Sequence, residues 1–134
     1  MSLRNNAAFL AAALILAAAA ASCASGADVI PTDLTAAELI QRAQEASDRN
    51  RYALSLQYYA TIIERFPYDI DSVVAAEYEI AFIHYKQKKY DIAKVEFNDL
   101  LERYNTVDEA LLPPQFKILS RIVLERIAGL EKRG

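Results

Sequence analysis

From Thr35 onward, apolar residues recur three and four positions apart, with polar residues between them. This spacing places the apolar side chains on one face of an α-helix. It predicts five helices, at about 35–49, 52–66, 72–88, 90–104 and 114–129. The same region has no alternating β-branched run and no Asn-Gly or Asp-Gly hairpin turn. We therefore expect an all-α domain.

Several predicted helices carry residues that favour a helix start. Thr35 and Glu38 have the spacing of a capping box, in which each side chain accepts a hydrogen bond from the other residue's backbone N–H. Asp71 and Ser72 are candidate caps of the third helix. Pro114 suits the first turn of the fifth helix, where no backbone donor is needed.

The second and fourth predicted helices have similar residues at equivalent positions, and each matched pair is separated by the same number of residues. This number, the separation of Tyr52 and Tyr90, is called the repeat offset. The other matched pairs are Ser55 and Ala93, Tyr59 and Phe97, Ile62 and Leu100, Ile63 and Leu101, and Phe66 and Tyr104. Ala43 and Ala81 match at the same offset in the preceding helices. Small residues at such positions allow two helix backbones to approach closely, so the pattern predicts a duplicated helix hairpin.

This pattern of small, aromatic and aliphatic positions resembles the tetratricopeptide repeat. The resemblance implies a short right-handed α-solenoid with repeats at about 36–69 and 72–107. A helix at about 114–130 would cap it, burying a stripe made of Phe116, Leu119, Val123, Ile127 and Leu130. The first repeat departs from the family pattern at Arg42 and Ala46, and the second has Asn105 in place of the closing proline.

The segment 1–22 has the composition of a signal peptide, with Arg4 followed by an uncharged run from Ala7 to Ala21. Cys23 follows small residues, which resembles the lipobox of bacterial lipoproteins and implies a lipidated Cys23. Residues 23–33 would then form a tether to the membrane. In the alternative, ordinary secretion, Cys23 is removed or left as a free thiol. With Ala24 after the cysteine, the resemblance implies the outer membrane, facing the periplasm.

The composition excludes several functional classes. The three glycines lie at positions 26, 129 and 134, so no glycine-rich phosphate-binding loop can form. One histidine and one cysteine are too few for a Cys/His metal cluster, and no nucleophile–base set is evident. The net charge of −3 disfavours nucleic-acid binding. We expect neither an enzyme nor a protein with a metal or cofactor.

A partner-binding surface is implied by the resemblance, because first helices of successive tetratricopeptide repeats line a concave groove. In this chain the matching residues are Tyr78, Phe82, Tyr85 and Lys86. Aromatic rings beside a cation suit a partner segment with apolar side chains and a carboxylate. Alternatively, the stripe belongs to the core and the fifth helix covers it. His84 is interpreted as a packed core residue.

These expectations combine into a lipid-anchored, periplasm-facing adaptor that binds another envelope protein through its repeat surface. The segment 81–85 and the Glu-Arg-Phe and Glu-Arg-Tyr helix ends resemble the family of tetratricopeptide lipoproteins of the outer-membrane barrel-assembly machinery. That resemblance implies a role in outer-membrane protein assembly. The alternative is a structural envelope lipoprotein that associates with itself as a homo-oligomer, since short repeat arrays expose apolar ends.

Overall fold

The computed structural model of the protein describes residues 29–133, and this part of the chain is helical. Its α-helices are α1 (Ala36–Asp48), α2 (Tyr52–Arg65), α3 (Ile70–Lys86), α4 (Tyr90–Thr106) and α5 (Pro114–Glu131), with a 3-10 turn at Glu109–Leu111 before α5. No strand occurs between residues 29 and 133, which confirms the predicted all-α class. The predicted signal peptide and Cys23 lie outside the described residues.

The capping residues explain where the helices begin. Thr35 and Glu38 form the predicted capping box, with the Thr35 N–H donating to Glu38 Oε2 at 2.9 Å and the Glu38 N–H donating to Thr35 Oγ1 at 3.3 Å. The prediction for α3 was wrong in the choice of cap. The cap is Asp69, whose Oδ1 accepts from the Ser72 N–H at 3.2 Å, so Asp71 already lies in the first turn.

The turns between α1 and α2 and between α3 and α4 have the same backbone geometry. Asn50 and Lys88, which are separated by the repeat offset, both adopt left-handed conformations, with φ of 57° and 61°. The next amide in each turn donates back across the helix end, Arg51 to the Ala46 carbonyl at 2.8 Å and Lys89 to the His84 carbonyl at 2.9 Å. The duplication predicted from side chains therefore extends to the backbone.

The helices pack in a regular order. Helix α1 pairs with α2 and α3 pairs with α4, while α3 also packs on α2 and α5 on α4. Smaller contacts join α1 to α3 and α3 to α5. Helix α5 is therefore related to α3 and α4 as α3 is related to α1 and α2.

The interior consists of two apolar clusters that share α3. The first is formed by Ile30, Leu34, Leu39, Ala43, Tyr59, Ile62, Ala76 and Ile83, and the second by Val74, Tyr78, Ala81, Ala93, Phe97, Leu100, Tyr104, Leu112, Val123 and Ile127. The predicted small residues Ala43, Ala81 and Ala93 are completely buried. Because α3 contributes side chains to both clusters, the two hairpins are packed against each other.

Two predictions about the ends of the domain need correction. The described part of the predicted tether is fastened to the domain, since Arg65 donates to the Pro31 carbonyl at 2.6 Å and Ile30 is buried in the first cluster. In α5, Val123 and Ile127 are buried as predicted, but Leu119 and Leu130 are exposed. The buried side of α5 instead includes Ser120, because the helix is rotated relative to the predicted stripe.

Candidate binding surface

An aromatic row runs along α3 and reaches the start of α4. The ring centroids of Tyr78 and Phe82 lie 5.8 Å apart, those of Phe82 and Tyr85 5.6 Å, and those of Tyr85 and Tyr90 5.9 Å. Positions four and three residues apart face the same side of a helix, which is why three of these rings meet. The row therefore joins the three aromatic residues that were predicted from the sequence for a partner-binding groove.

Tyr78 lies at the buried end of this row and does not line an open surface. Its ring centroid lies 5.6 Å from that of Phe97 in α4 and 5.2 Å from that of Phe116 in α5. The residue is only 7% exposed. Burial, helped by the nearby Glu79 carboxylate, raises the pKa of Tyr78 to about 12. At Tyr78 the structure therefore agrees with the alternative interpretation, in which the stripe belongs to the core and the fifth predicted helix covers it. Phe82 and Tyr85 are only half-buried.

Lys86 fixes the other end of the row to the first hairpin. Its ammonium group lies 5.3 Å from the ring centre of Tyr52 and 5.5 Å from that of Phe82, and it donates a hydrogen bond to Ser47 Oγ. These contacts orient the charge over two aromatic faces. Among residues 29–133, no carboxylate forms a close ion pair with Lys86, although the Glu79 carboxylate lies near enough to interact with its charge.

An open cavity of about 550 Å³ lies at the opposite end of the same face. Helix α1 contributes Ile40, α3 contributes Ala75 and α5 contributes Phe116 to its wall. The remaining lining residues are Asp71 and Ser72 at the start of α3 and residues 110–115 before and at the start of α5. The face formed by α1, α3 and α5 thus has an open depression with a mixed polar and apolar lining at one end and a cation at the other.

Phe116 also belongs to this face, although its spacing in the sequence had placed it in the predicted capping stripe. Phe116 follows Tyr78 by one repeat offset, and Tyr78 follows Ile40 by the same offset. Extending the repeat once more along the chain would therefore have found it. The offset was visible from the paired second helices, but α5 has no second helix after it in residues 29–133 to reveal the match.

Polar groups between α3 and α4 are more constrained than the sequence suggested. His84, predicted as a packed core residue, is largely buried and its Nδ1 lies 2.7 Å from Glu96 Oε2. Glu77 accepts a hydrogen bond from the Arg103 guanidinium. Burial raises the pKa of the Glu77 carboxyl and the Arg103 guanidinium opposes this effect. Both pairs tie α3 to α4.

A cleft of about 300 Å³ beside these pairs is lined by Glu77, Glu96, Asp99 and Arg103, together with Ile80 and Leu100. Within the described residues, no group of three or more His, Cys, Asp or Glu side chains is placed to hold a metal ion. Residues 29–133 also contain no helix that is both long and apolar enough to cross a membrane.

Comparisons with known proteins give one informative similarity. The chain is 36% identical over 98 residues to an uncharacterized protein of Treponema pallidum (strain Nichols). The matched region is 73% of this chain but only 39% of the relative, so the chain spans well under half of that protein's length. No family model matches the sequence, and no solved structure matches it.

Proposed function

We propose that the protein is a lipid-anchored adaptor of the tetratricopeptide-repeat type, which binds another envelope protein on the face formed by α1, α3 and α5. The repeat assignment is supported by the constant repeat offset, the equal turn geometry at Asn50 and Lys88, and the recurring order in which the helices pack. In such an array each unit contacts its neighbours, and one side of the array presents the first helix of every unit.

The observation that carries the binding proposal is the aromatic row with Lys86 at its end. Phe82 and Tyr85 keep part of their rings exposed, while their buried parts are held by neighbouring rings. Rigid aromatic side chains bind a partner with little loss of conformational entropy. The charge of Lys86 attracts a carboxylate on the partner, and the depression beside Ile40 and Phe116 accepts an apolar side chain.

We infer that the partner is an extended or helical protein segment that carries an apolar side chain and an acidic group. This is a binding role, without catalysis or a cofactor. The resemblance to lipoproteins of the outer-membrane barrel-assembly machinery makes outer-membrane protein assembly the proposed context. The matched region is only 39% of the Treponema relative, so this proposal concerns this chain alone and does not extend to the whole of that longer protein.

Capture of partners from solubilised membranes tests the binding role. Replacing both Phe82 and Tyr85 with alanine should remove the envelope proteins that copurify with the wild-type chain. Tyr68→Ala is the matched control, because Tyr68 is 95% exposed and lies in the turn between α2 and α3, outside the aromatic row. An unchanged set of captured proteins with the double variant, whose helicity and melting must match the control, contradicts the proposal.

The lipid anchor is tested independently of the binding surface. Mass spectrometry of the protein isolated from membranes should show a chain that begins at Cys23 and carries the additional mass of acyl chains. Two or more acyl chains are needed for stable anchoring, so Cys23→Ser should move the protein into the soluble fraction. A mature chain with an unmodified thiol, or with cleavage elsewhere, contradicts lipidation and leaves the adaptor surface unaffected.

A further inference from the structure

Helix α5 has an apolar stripe on the side that faces away from the core. Its members are Ile118, Leu119, Ile122 and Leu130, with exposed fractions of 59%, 38%, 39% and 40%. Ser120, Val123 and Ile127 are buried against the rest of the domain, and Ile118 and Ile122 point away from them. Leu119 and Leu130 lie at the border between the two sides, because they are four and seven residues from Val123. A terminal helix that only shields the core from water would have a polar outer face. The outer side of α5 instead combines these apolar residues with the exposed Arg126 among them and with Arg121 and Glu125 beside them.

The equivalent face of the preceding first helix is covered. One repeat offset before Ile118, Leu119 and Ile122 lie Ile80, Ala81 and His84 of α3. His84 is bound by Glu96 of α4, and Ala81 is buried in the cluster that contains Ala93 and Phe97. Helix α4, which follows α3 through a short turn, therefore packs on the face of α3 that remains uncovered on α5 within residues 29–133.

We propose that the exposed face of α5 binds the same face of a second copy of this chain, with the two α5 helices antiparallel. A two-fold axis near Ile122 places each Ile122 beside its counterpart. The same symmetry brings Arg121 of each copy near Glu125 of the other copy, which gives two such contacts. The two residues lie on either side of the axis, four positions or about 6 Å apart along the helix.

Charge complementarity is the argument for a second copy. Arg121 and Glu125 are both exposed beside the apolar stripe, and neither forms an ion pair with another of residues 29–133. An antiparallel pairing satisfies both charges with a single sequence, whereas an unrelated partner would need its own matching charges. Opposite charges at the edge of a helical seam set orientation and partner choice.

The residue at position 119 also distinguishes this face of α5 from the faces of α1 and α3 that pack against the second helix of their hairpins. Ala43 and Ala81 are completely buried where α1 meets α2 and α3 meets α4. Leu119 takes their place in α5, and its larger side chain holds a partner helix further away. Antiparallel helices with leucine and isoleucine at the seam pack at axial separations of about 8–10 Å.

The expected dimer is weak. Helix α5 has 18 residues, and a helix of that length is about 27 Å long. One helix pair of this length buries less than the roughly 800 Å² per partner of a standard stable interface. We therefore expect a dissociation constant in about the micromolar range, because only part of the buried area appears as affinity.

Charge reversal tests the pairing directly. The full chain in mild detergent should sediment as a monomer at low concentration and as a dimer at high concentration. Arg121→Glu and Glu125→Arg should each weaken the dimer by about tenfold, since each places like charges together. The variant carrying both changes restores opposite charges across the axis and should return to within about threefold of the wild type.

Matched apolar variants complete the test. Ile118→Glu together with Ile122→Glu should abolish the dimer, whereas Val95→Glu should leave it unchanged, because Val95 is a 61% exposed aliphatic residue on α4, outside this face. Ile122→Cys should form a disulfide-linked dimer on mild oxidation, and the wild-type chain, with Cys23 alone, serves as the control. A wild type that is monomeric at every concentration, or a double charge variant that is not restored, would overturn the proposal.

Discussion

The two helix hairpins, α1–α2 and α3–α4, have the same backbone geometry in their turns but carry different side chains on the face that they form with α5. Their turns have the same left-handed residue and the same hydrogen bonds, at Asn50 and Lys88. On the face shared with α5, however, the first hairpin has Ile40, Gln44 and Ser47 where the second has Tyr78, Phe82 and Tyr85. The difference shows that the two hairpins can keep the same turns while the residues on the face formed by α1, α3 and α5 differ.

The buried positions also differ in one instructive respect. Tyr59 of α2 and Phe97 of α4 lie at equivalent places in the two cores, and both are essentially inaccessible to solvent. The Tyr59 hydroxyl is buried without a hydrogen-bond partner among the described residues, whereas Phe97 has no polar atom to satisfy. Burial, together with the Glu79 and Asp48 carboxylates, raises the pKa of Tyr59. At this position the first hairpin therefore has an unsatisfied buried hydroxyl that the second lacks, whereas the unsatisfied buried oxygens of the second hairpin are Glu77 Oε2 and Gln87 Oε1.

Truncating the two equivalent aromatic residues should give the largest effect on stability. Phe97→Ala leaves a cavity beside Tyr78 and should lower the free energy of unfolding by about 3–5 kcal/mol. Tyr59→Ala should cost less, because it also removes an unsatisfied buried hydroxyl. Urea unfolding of both variants measures the difference. Equal losses would mean that the hydroxyl carries no penalty.

Exchanging only the hydroxyl isolates its contribution. Tyr59→Phe should stabilise the protein by up to about 1–2 kcal/mol, since it removes an unpaired buried polar group while it keeps the ring. The reverse change in the second hairpin, Phe97→Tyr, should destabilise by about 1–3 kcal/mol for the same reason. A loss of stability in Tyr59→Phe would show that the hydroxyl has a partner, such as a bound water molecule.

A smaller effect is expected where the hairpins differ by a single oxygen atom. Ser55 Oγ donates to the Ala43 carbonyl at 2.7 Å and is completely buried. Ser55→Ala should cost about 1 kcal/mol through loss of this hydrogen bond. Ala93→Ser places a hydroxyl at the equivalent position, where the Ala81 carbonyl is the corresponding acceptor, and should be nearly neutral. Thermal melting of both variants tests whether the two hairpins are truly equivalent here.

The smallest expected effect depends on pH and is confined to the second hairpin. Burial raises the pKa of Glu77 in the folded protein above that of the unfolded chain. The folded state then holds the proton more tightly, so the contribution of Glu77 to stability falls as pH rises from the unfolded pKa, about 4.3, to the folded value.

The variant Glu77→Gln removes this titration. Relative to the variant, the wild type should therefore lose stability over that pH interval, as followed by melting temperature. Arg65→Gln is a control for the loss of a charged contact elsewhere, because Arg65 binds backbone carbonyls that do not titrate. A difference between wild type and Glu77→Gln that is constant with pH would contradict the raised pKa.

Much of the fold could be predicted because its signals are local or periodic. The capping box at Thr35 depends on residues three positions apart, and the apolar spacing indicates each helix by itself. The error at the start of α3 has a simple cause. Asp69 and Asp71 are both suitable caps, and the choice between them depends on how the turn after Pro67 packs.

The candidate site was predicted less completely, because exposure depends on distant helices. Tyr78, Phe82 and Tyr85 were found together from their spacing on one helix. Which of them stays accessible was decided by α5, whose Phe116 covers Tyr78. The position of Lys86 over Tyr52 joins residues on two different hairpins, which helical periodicity cannot predict.

The amino-acid sequence by itself determined the helical class, the two equivalent hairpins and the residues that fill their cores, since burial of a periodic apolar face is a property of each segment. Tertiary structure alone decided the rotation of α5, and with it the covered end of the aromatic row and the exposed stripe at Ile118 and Ile122. The physical reason is that α5 has apolar side chains on more than one side. Only packing against α3 and α4 selects the side that is buried.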